Sequence, residues 1–365
     1  MRKPKKPRLQ NIHLSKGVSK SQLVIFAAVF VVVGAVFLFS THAAGPSASL
    51  EAENSTVNSP AATIKDTNAS AGQALKFTAA TGANYCPAFP AFPDANCTGV
   101  PGGTTLTTKT GNQTINTAGT VVSGWDVQGK IIVNADNVTI ENSRVHGPAA
   151  GGCINGAAIE LNGQHDTVQD TEVLLDHPTA CLDGIWMVGN YSTLTRVNDH
   201  GGTDGVKAAG DPGVHDQLIQ DSYIHDMRWD PDDPNQGHTE THNDGVQDWS
   251  GAYNITLRHN RIDMSTVFNS SGELASNAAW QSGTSNARAE YNYLDGGGCT
   301  LNFASSESST QNPQTPIYIN NNHFGRTRGY TGCVVLINNQ AIMTEYNGNV
   351  YDDTGAAVPT WQQHN

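Results

Sequence analysis

The 365-residue chain has no P-loop, no dinucleotide-binding glycine fingerprint, no H-E-x-x-H and no G-x-S-x-G. Nucleotide-dependent, protease and esterase chemistry therefore have no motif to rest on. There is no C-x-x-C either, so the six cysteines do not read as a metal cluster. The 3.6-residue apolar period of helical solenoids is missing, and so are runs of good helix formers. Basic residues are scarce once the N-terminus is passed. Of 20 Lys and Arg against 33 Asp and Glu, seven basics lie in the first 20 residues, which leaves 13 against 33 for the remainder. A surface that acidic is not expected to hold nucleic acid or anionic lipid by charge. It suits a soluble extracellular domain, either through solubility alone or through Ca²⁺ held by carboxylates.

The basic leader (1–22) contains Arg2, Lys3, Lys5, Lys6, Arg8, Lys16 and Lys20 and no acid, and Leu23 to Phe39 is uncharged and apolar. This pattern predicts a membrane-targeting segment over 23–40, basic end in the cytoplasm. At about 1.5 Å per residue the run is slightly short of a bilayer core, so it fits a signal anchor or a cleavable signal. Thr41-His42-Ala43 would serve as a cleavage site, whereas the long basic leader favours a retained anchor. Either way the rest of the chain is expected outside the cell, as a single-pass or secreted monomer.

What the sequence does have is a returning phrase. IENSRV starts at Ile140, VQDTEV at Val168, IQDSYI at Ile219, LRHNRI at Leu257, AEYNYL at Ala289 and INNNHF at Ile319, with weaker copies at Leu194 and Glu345. Successive starts are 28, 26, 25, 38, 32, 30 and 26 residues apart. Short alternating segments rich in Asn, Thr, Val and Ile at this period predict a parallel β-helix of about eight coils. Apolar residues would stack inward, and Asn and Asp would fill the turns, where they tolerate left-handed backbone.

FPDANCTGVPGGTTL, GTVVSGWDV, NADNVTIENSRVHG, DSYIHDM, HNDGVQ, NITLRHNRID and DGGGCTL resemble secreted bacterial right-handed parallel β-helix proteins of the pectate-lyase-like superfamily. The likeness runs from about Phe89 to the C-terminus (89–365) and implies an all-β fold. That superfamily includes polysaccharide lyases, glycoside hydrolases and non-catalytic adhesive proteins, so the resemblance leaves function open. Residues 45–88 form a separate linker. Its segment SLEAENSTVNSPAATIKDTNASAGQALKF is similar to the first strands of a carbohydrate-binding β-sandwich, but is too short for one, and a short β-hairpin is expected. Cysteine spacing favours neighbours, Cys86–Cys97, Cys153–Cys181 and Cys299–Cys333, among 15 possible connectivities.

In a β-helix, chemistry sits on an outer sheet face and its adjacent loops, so site residues should recur at coil spacing. Asp-Gly-apolar does so at Asp183-Gly184-Ile185, Asp204-Gly205-Val206 and Asp244-Gly245-Val246. Each Gly is expected to make a corner, each Ile or Val to point inward, and Trp186, Lys207 and Gln247 to form an outward strip flanked by Glu160 and Gln281. Stacked carboxylates repel one another, which raises pKa values or recruits a cation. The alternative is that each Asp only caps its turn. The longest interval holds HDMRWDPDDPNQGHTETHNDGVQ. There His238, Glu240, His242 and Asp244 would share one face if extended, while Asp230, Asp232 and Asp233, with Glu240, make a candidate Ca²⁺ set without EF-hand spacing.

Two reactions fit these residues. In a uronate lyase, Lys207 would be the base, its pKa lowered by burial and by Arg228, and Arg228 would assist the carboxylate or leaving oxygen. This arrangement resembles alginate lyases and chondroitinase B of the same superfamily. In an inverting glycoside hydrolase, Asp204 would pair with Asp244 or Asp183, yet of the polygalacturonase motifs only Thr203-Asp204-Gly205 is similar and no G-H-G is present. Asp183, Trp186, Gln247, Trp229 and His238 are the expected substrate contacts, with Trp186 and Trp229 available for sugar stacking. An extracellular polysaccharide or surface glycan is the expected partner. The leading expectation is a uronate lyase; the alternatives are a non-catalytic adhesin or glycan-binding module and an inverting hydrolase.

Overall fold

The computed structural model describes residues 61–65, 73–77 and, with short breaks, 85–363. The leader, the expected membrane span and the Cys153–Cys181 pair lie outside the described residues. The chain divides into two units, Met1–Thr78 and Ala79–Asn365. In the first, Ala61–Lys65 pairs antiparallel with Gln73–Phe77, within the segment expected to form a short hairpin.

The second unit is built of three sheets with ten, nine and ten described strands, each sheet parallel throughout. The chain visits them in rotation, as in a parallel β-helix. Ile131–Val133 lies in sheet 1, Thr139–Glu141 in sheet 2 and Arg144–Val145 in sheet 3; the next coil repeats this with Ala157–Leu161, Thr167–Gln169 and Glu172–Leu174. The stack exceeds the eight coils expected from the phrase. An earlier coil spells it Val122-Ser123-Gly124-Trp125-Asp126-Val127, with Gly at the third position, where the next two coils have Asn142 and Asp170. The last copy is also one residue later than read, since Ile319 pairs with Tyr346 across a register shift.

The phrase spans the corner from sheet 2 to sheet 3. Its first apolar residue joins a column running Val122, Ile140, Val168, Leu194, Ile219, Leu257, Ala289 and Ile319, all fully buried. Each large aliphatic contributes roughly 1.5–3 kcal/mol by burial. The third position is left-handed in every coil: Gly124, Asn142, Asp170, Arg196, Asp221, His259, Tyr291, Asn321 and Gly348 have φ between 48° and 69°. Arg196 is not a natural occupant of that region, whereas His259 is of a type that enters it more readily, and each is held by the coil below. Arg196 makes a two-pronged pair with Asp170 at 2.7 Å, and His259 Nδ1 meets Asp221 at 2.6 Å. At the fourth position Asn260, Asn292, Asn322 and Asn349 form a buried ladder, each Oδ1 accepting from the backbone N–H of the coil before it.

Two of the favoured disulfides are present, Cys86–Cys97 and Cys299–Cys333. The first closes a segment that lies along the coils. Phe89 packs on Tyr291 and His323, Phe92 on Tyr293 and His323, and Ala91 O accepts from His259 Nε2 at 2.9 Å.

The Asp-Gly glycines do not make corners. All three lie buried in or against sheet 1, and their missing side chains make room for residues of sheet 3. A Cβ on Gly205 would strike Ile224, one on Gly245 would strike Ile262, and one on Gly184 would strike the carboxylate of Asp199.

Candidate functional site

Sheet 1 places the three aspartates in one column. Ile185 pairs with Val206 and Val206 with Val246, which puts Asp183, Asp204 and Asp244 at equivalent positions, with Asn277 next after Asp244. The strip runs Glu160, Trp186, Lys207, Gln247. By backbone register its row continues at position 280 rather than 281, because Gln247 pairs with Trp280 and Asp248 with Gln281.

Capping and clustering prove to be two uses of the same carboxylates. One oxygen of each Asp accepts from the backbone of the next coil: Asp183 Oδ1 from Asp204 N at 3.3 Å, Asp204 Oδ1 from Asp244 N at 2.7 Å, Asp244 Oδ1 from Asn277 N at 3.0 Å. The other oxygen turns to the strip. Asp183 Oδ2 accepts from Trp186 Nε1 at 2.7 Å and lies 3.6 Å from Lys207 Nζ, and Asp204 Oδ2 lies 3.8 Å from the same ammonium. Asp244 Oδ2 accepts from Gln247 Nε2 and contacts His242 Nδ1, both at 3.1 Å. The Lys207 ammonium also stands 5.7 Å from the Trp186 ring centre.

The electrostatics follow from burial. Asp183, Asp204 and Asp244 are 6 %, 4 % and 0 % exposed. Burial pushes the Asp183 carboxyl up against the opposing pull of Lys207; burial, then Asp183 and Asp244, push Asp204 well up. For Lys207, burial pulls downward but Asp183, Asp204 and Asp244 together outweigh it, so its pKa is raised. This reverses the expected lowering: Lys207 is an ammonium at neutral pH, and the charges acting most strongly on it are these carboxylates. Arg228 donates Nη1 to His177 O at 3.1 Å. His242 is lifted to about 9, first by Asp244, with burial opposing. The surface thus presents an ammonium, an imidazolium and an indole above a buried acidic layer.

The inserted loop does not line up as one face. His238 is exposed and paired with Asp232 at 2.8 Å, Glu240 accepts from Trp229 Nε1 at 3.3 Å, and only His242 and Asp244 come together. Trp229 packs partly against the core rather than standing clear for a sugar. The Ca²⁺ set is not assembled. Asp230 Oδ1 accepts from Asp232 N, Asp232 serves His238, Asp233 bridges to Thr239, and no group of three or more potential ligands converges among the described residues. Within the aspartate column the neutralising cation is Lys207, so these residues do not fit a divalent ion.

Sequence reasoning missed three participants. Asn243 is fully buried and donates Nδ2 to Thr203 O at 2.6 Å and to Arg228 O at 2.9 Å, which fixes the loop beside Asp244. Asn277 adds a second bond to Asp244 Oδ1 through Nδ2 at 2.9 Å. Asp199 lies under Gly184, fully buried, with both oxygens unpartnered. Its signal was legible: it is the one charged residue where LTRVND should end on an apolar residue. No protein-family model matches the chain, and no curated protein matches it.

Proposed function

We propose that the chain is an extracellular, polysaccharide-active β-helix protein that takes a uronate-containing glycan along sheet 1 and cleaves it by elimination. The observation that carries this reading is the pair of cations, Lys207 and His242, held at the surface of the strip by three buried carboxylates. A uronate carboxylate must be neutralised before the proton alpha to it can leave; Lys207 and His242 together attract it, and in the reactive form the fixed charge beside it is protonated His242, in a partly dry site that needs no reorganising. In the elimination the alpha proton passes to neutral Lys207 and its bonding electrons form the ring double bond. The bond to the leaving oxygen breaks, and that oxygen takes a proton from His242. The right-handed, pectate-lyase-like assignment is part of the same proposal and is supported by the parallel sheets and the Asn ladder. So is a location outside the cytoplasm, with 23–40 as anchor or cleaved signal, which the two disulfides favour.

Because Lys207 must be neutral while His242 remains protonated, the rate depends on a reverse-protonated minority. The expected profile is a bell with its maximum above about pH 9, between the His242 value and the raised Lys207 value. The purified chain is incubated with pectate, alginate and glycosaminoglycans, and the ultraviolet absorbance of the unsaturated product is followed. Absorbance that appears with the wild type and is abolished in Lys207→Met is the expected result. Undiminished activity in Lys207→Met, or a maximum below pH 7, would overturn the assignment. A second reading, glycan binding without turnover, is favoured by the burial of all three aspartates. The same burial weighs against a hydrolase, whose carboxyl acid must touch the glycosidic oxygen. New reducing ends without absorbance would restore the hydrolase, and glycan retention with neither would select the binding module.

A further inference from the structure

Sheet 2 carries a groove of about 390 Å³ on its face, and none of its lining residues belongs to the aspartate column or its strip. It is formed by the strands His215–Gln220, Tyr253–Arg258 and Ser285–Glu290. Along the strand direction its lining changes character. Asn254 and Asn286 stand at the start, Thr256 and Arg288 share one register in the middle, and Arg258 stands at the end, level with Glu290 of the next coil. From Asn254 to Arg258 the groove extends roughly 13 Å, at about 3.3 Å per residue.

The two ends offer different chemistry. Asn254 donates Nδ2 to Asp216 Oδ1 at 3.0 Å, and Asn286 donates Nδ2 to Asn254 Oδ1, so a chain of side-chain amides rises coil by coil. Each amide has a further donor and acceptor capacity beyond these bonds. Toward the other end the Arg258 guanidinium is half exposed and makes no hydrogen bond among the described residues; its Nη2 is 3.9 Å from Glu290 Oε2. Arg288 lies 3.8 Å from the Tyr318 ring centre, which orients its plane, and reaches Glu290 Oε1 only at 3.4 Å. Two guanidinium groups with most of their donors unused match a carboxylate in planar, two-pronged fashion. Amides and a hydroxyl at rung spacing match a polyol. Leu218 is the one aliphatic side chain of the lining, which disfavours an apolar peptide, and the acidic net charge disfavours nucleic acid.

We propose that this groove on sheet 2 is a second saccharide-binding site, selective for a carboxylated sugar unit whose carboxylate is held by Arg258 and Arg288 and whose hydroxyls meet Asn254, Thr256 and Asn286. It shares a ligand class with the sheet 1 reading but does not depend on turnover there. It would hold an acidic glycan on a face separate from the cleaving strip, as an anchoring subsite does.

The test uses the full chain carrying Lys207→Met, which removes the proposed base and one of the two sheet 1 cations. Binding of short oligomers of galacturonate, mannuronate, guluronate and glucuronate, and of their carboxyl-reduced counterparts, is measured by calorimetry. At least one carboxylated oligomer is expected to bind, with the carboxyl-reduced form at least ten-fold weaker. Adding Arg258→Gln and Arg288→Gln should weaken the carboxylated ligand at least ten-fold, and Arg258→Lys with Arg288→Lys by an intermediate factor, since charge remains but the fork is lost. Unchanged far-ultraviolet circular dichroism shows that these exposed replacements leave the coils intact. Absence of binding by Lys207→Met, equal binding of reduced ligand, or indifference to the arginine replacements overturns the proposal. If the wild type cleaves nothing yet arginine-dependent binding persists, the elimination reading fails and this site stands.

Discussion

Asp199→Leu should make the protein more stable, by an amount that grows with pH. Asp199 occupies an inward column of sheet 3 otherwise filled by Val145, Val173, Ile224, Ile262 and Leu294. Its two oxygens are buried without partners, and burial, with the nearby Asp183 charge, raises its pKa well above the usual carboxylate range. Removing a buried unsatisfied group is worth roughly 1–3 kcal/mol, and the two methyls of an equally branched Leu add about 0.8 kcal/mol each at most. Steric contact with Gly184 takes some of this back, so a gain of about 2–3 kcal/mol is expected at neutral pH. The sign of the pH dependence follows from the raised value. The unfolded chain releases this proton above about pH 4 while the folded chain keeps it, so the Asp199 contribution is most favourable below that pH and is lost as pH rises toward the folded value. The slope is at most about 1.4 kcal/mol per pH unit. Leu has no proton to release, so its advantage over Asp widens across that window. Guanidinium unfolding of wild type and Asp199→Leu between about pH 5 and pH 8 measures the gap directly. A gap that does not change with pH, or a less stable Leu variant, would mean that Asp199 is ionised and paired in the native protein, and the reasoning would be refuted.

Two further outcomes are expected. His242, raised to about 9 by Asp244, contributes stability that is complete below about pH 6.5 and is lost as pH rises through about 9. Its imidazole is 46 % exposed, so after solvent screening the pair is worth no more than about 1 kcal/mol. Proton NMR should place its midpoint near 9 and return it toward 6.5 in Asp244→Asn; a wild-type midpoint near 6.5 would sink the assignment. Asn292 donates to Leu257 O and Asn322 Oδ1 and accepts from Asn260 N and Nδ2, all within 3.0 Å. At about 1 kcal/mol per bond, Asn292→Ala should cost roughly 2–4 kcal/mol, whereas Asn96→Ala in the exposed N-terminal segment should stay within about 0.5 kcal/mol. Equal unfolding midpoints for the two variants would show that the ladder adds nothing.

Periodic features were legible in the chain because a β-helix repeats one local solution in every coil. The inward apolar column, the left-handed corner and the aspartate column recur at coil spacing, so residue types alone marked them. The neighbouring disulfides Cys86–Cys97 and Cys299–Cys333 followed from the same short-range logic. What spacing could not supply was anything set by a partner from a different sheet. The Asp-Gly glycines looked like corners, yet they are gaps into which Asp199, Ile224 and Ile262 project from across the core. Lys207 looked like a base with a lowered pKa, but three carboxylates from three coils outweigh its burial and hold it as a cation. The loop acids looked like a Ca²⁺ set, and each is taken up by a different neighbour. Sequence by itself determined the coil, because backbone geometry and apolar alternation are local and repeated. The charge state and accessibility of the site were decided only by tertiary structure, because they depend on distances between groups that the chain brings together from 21 to 40 residues apart.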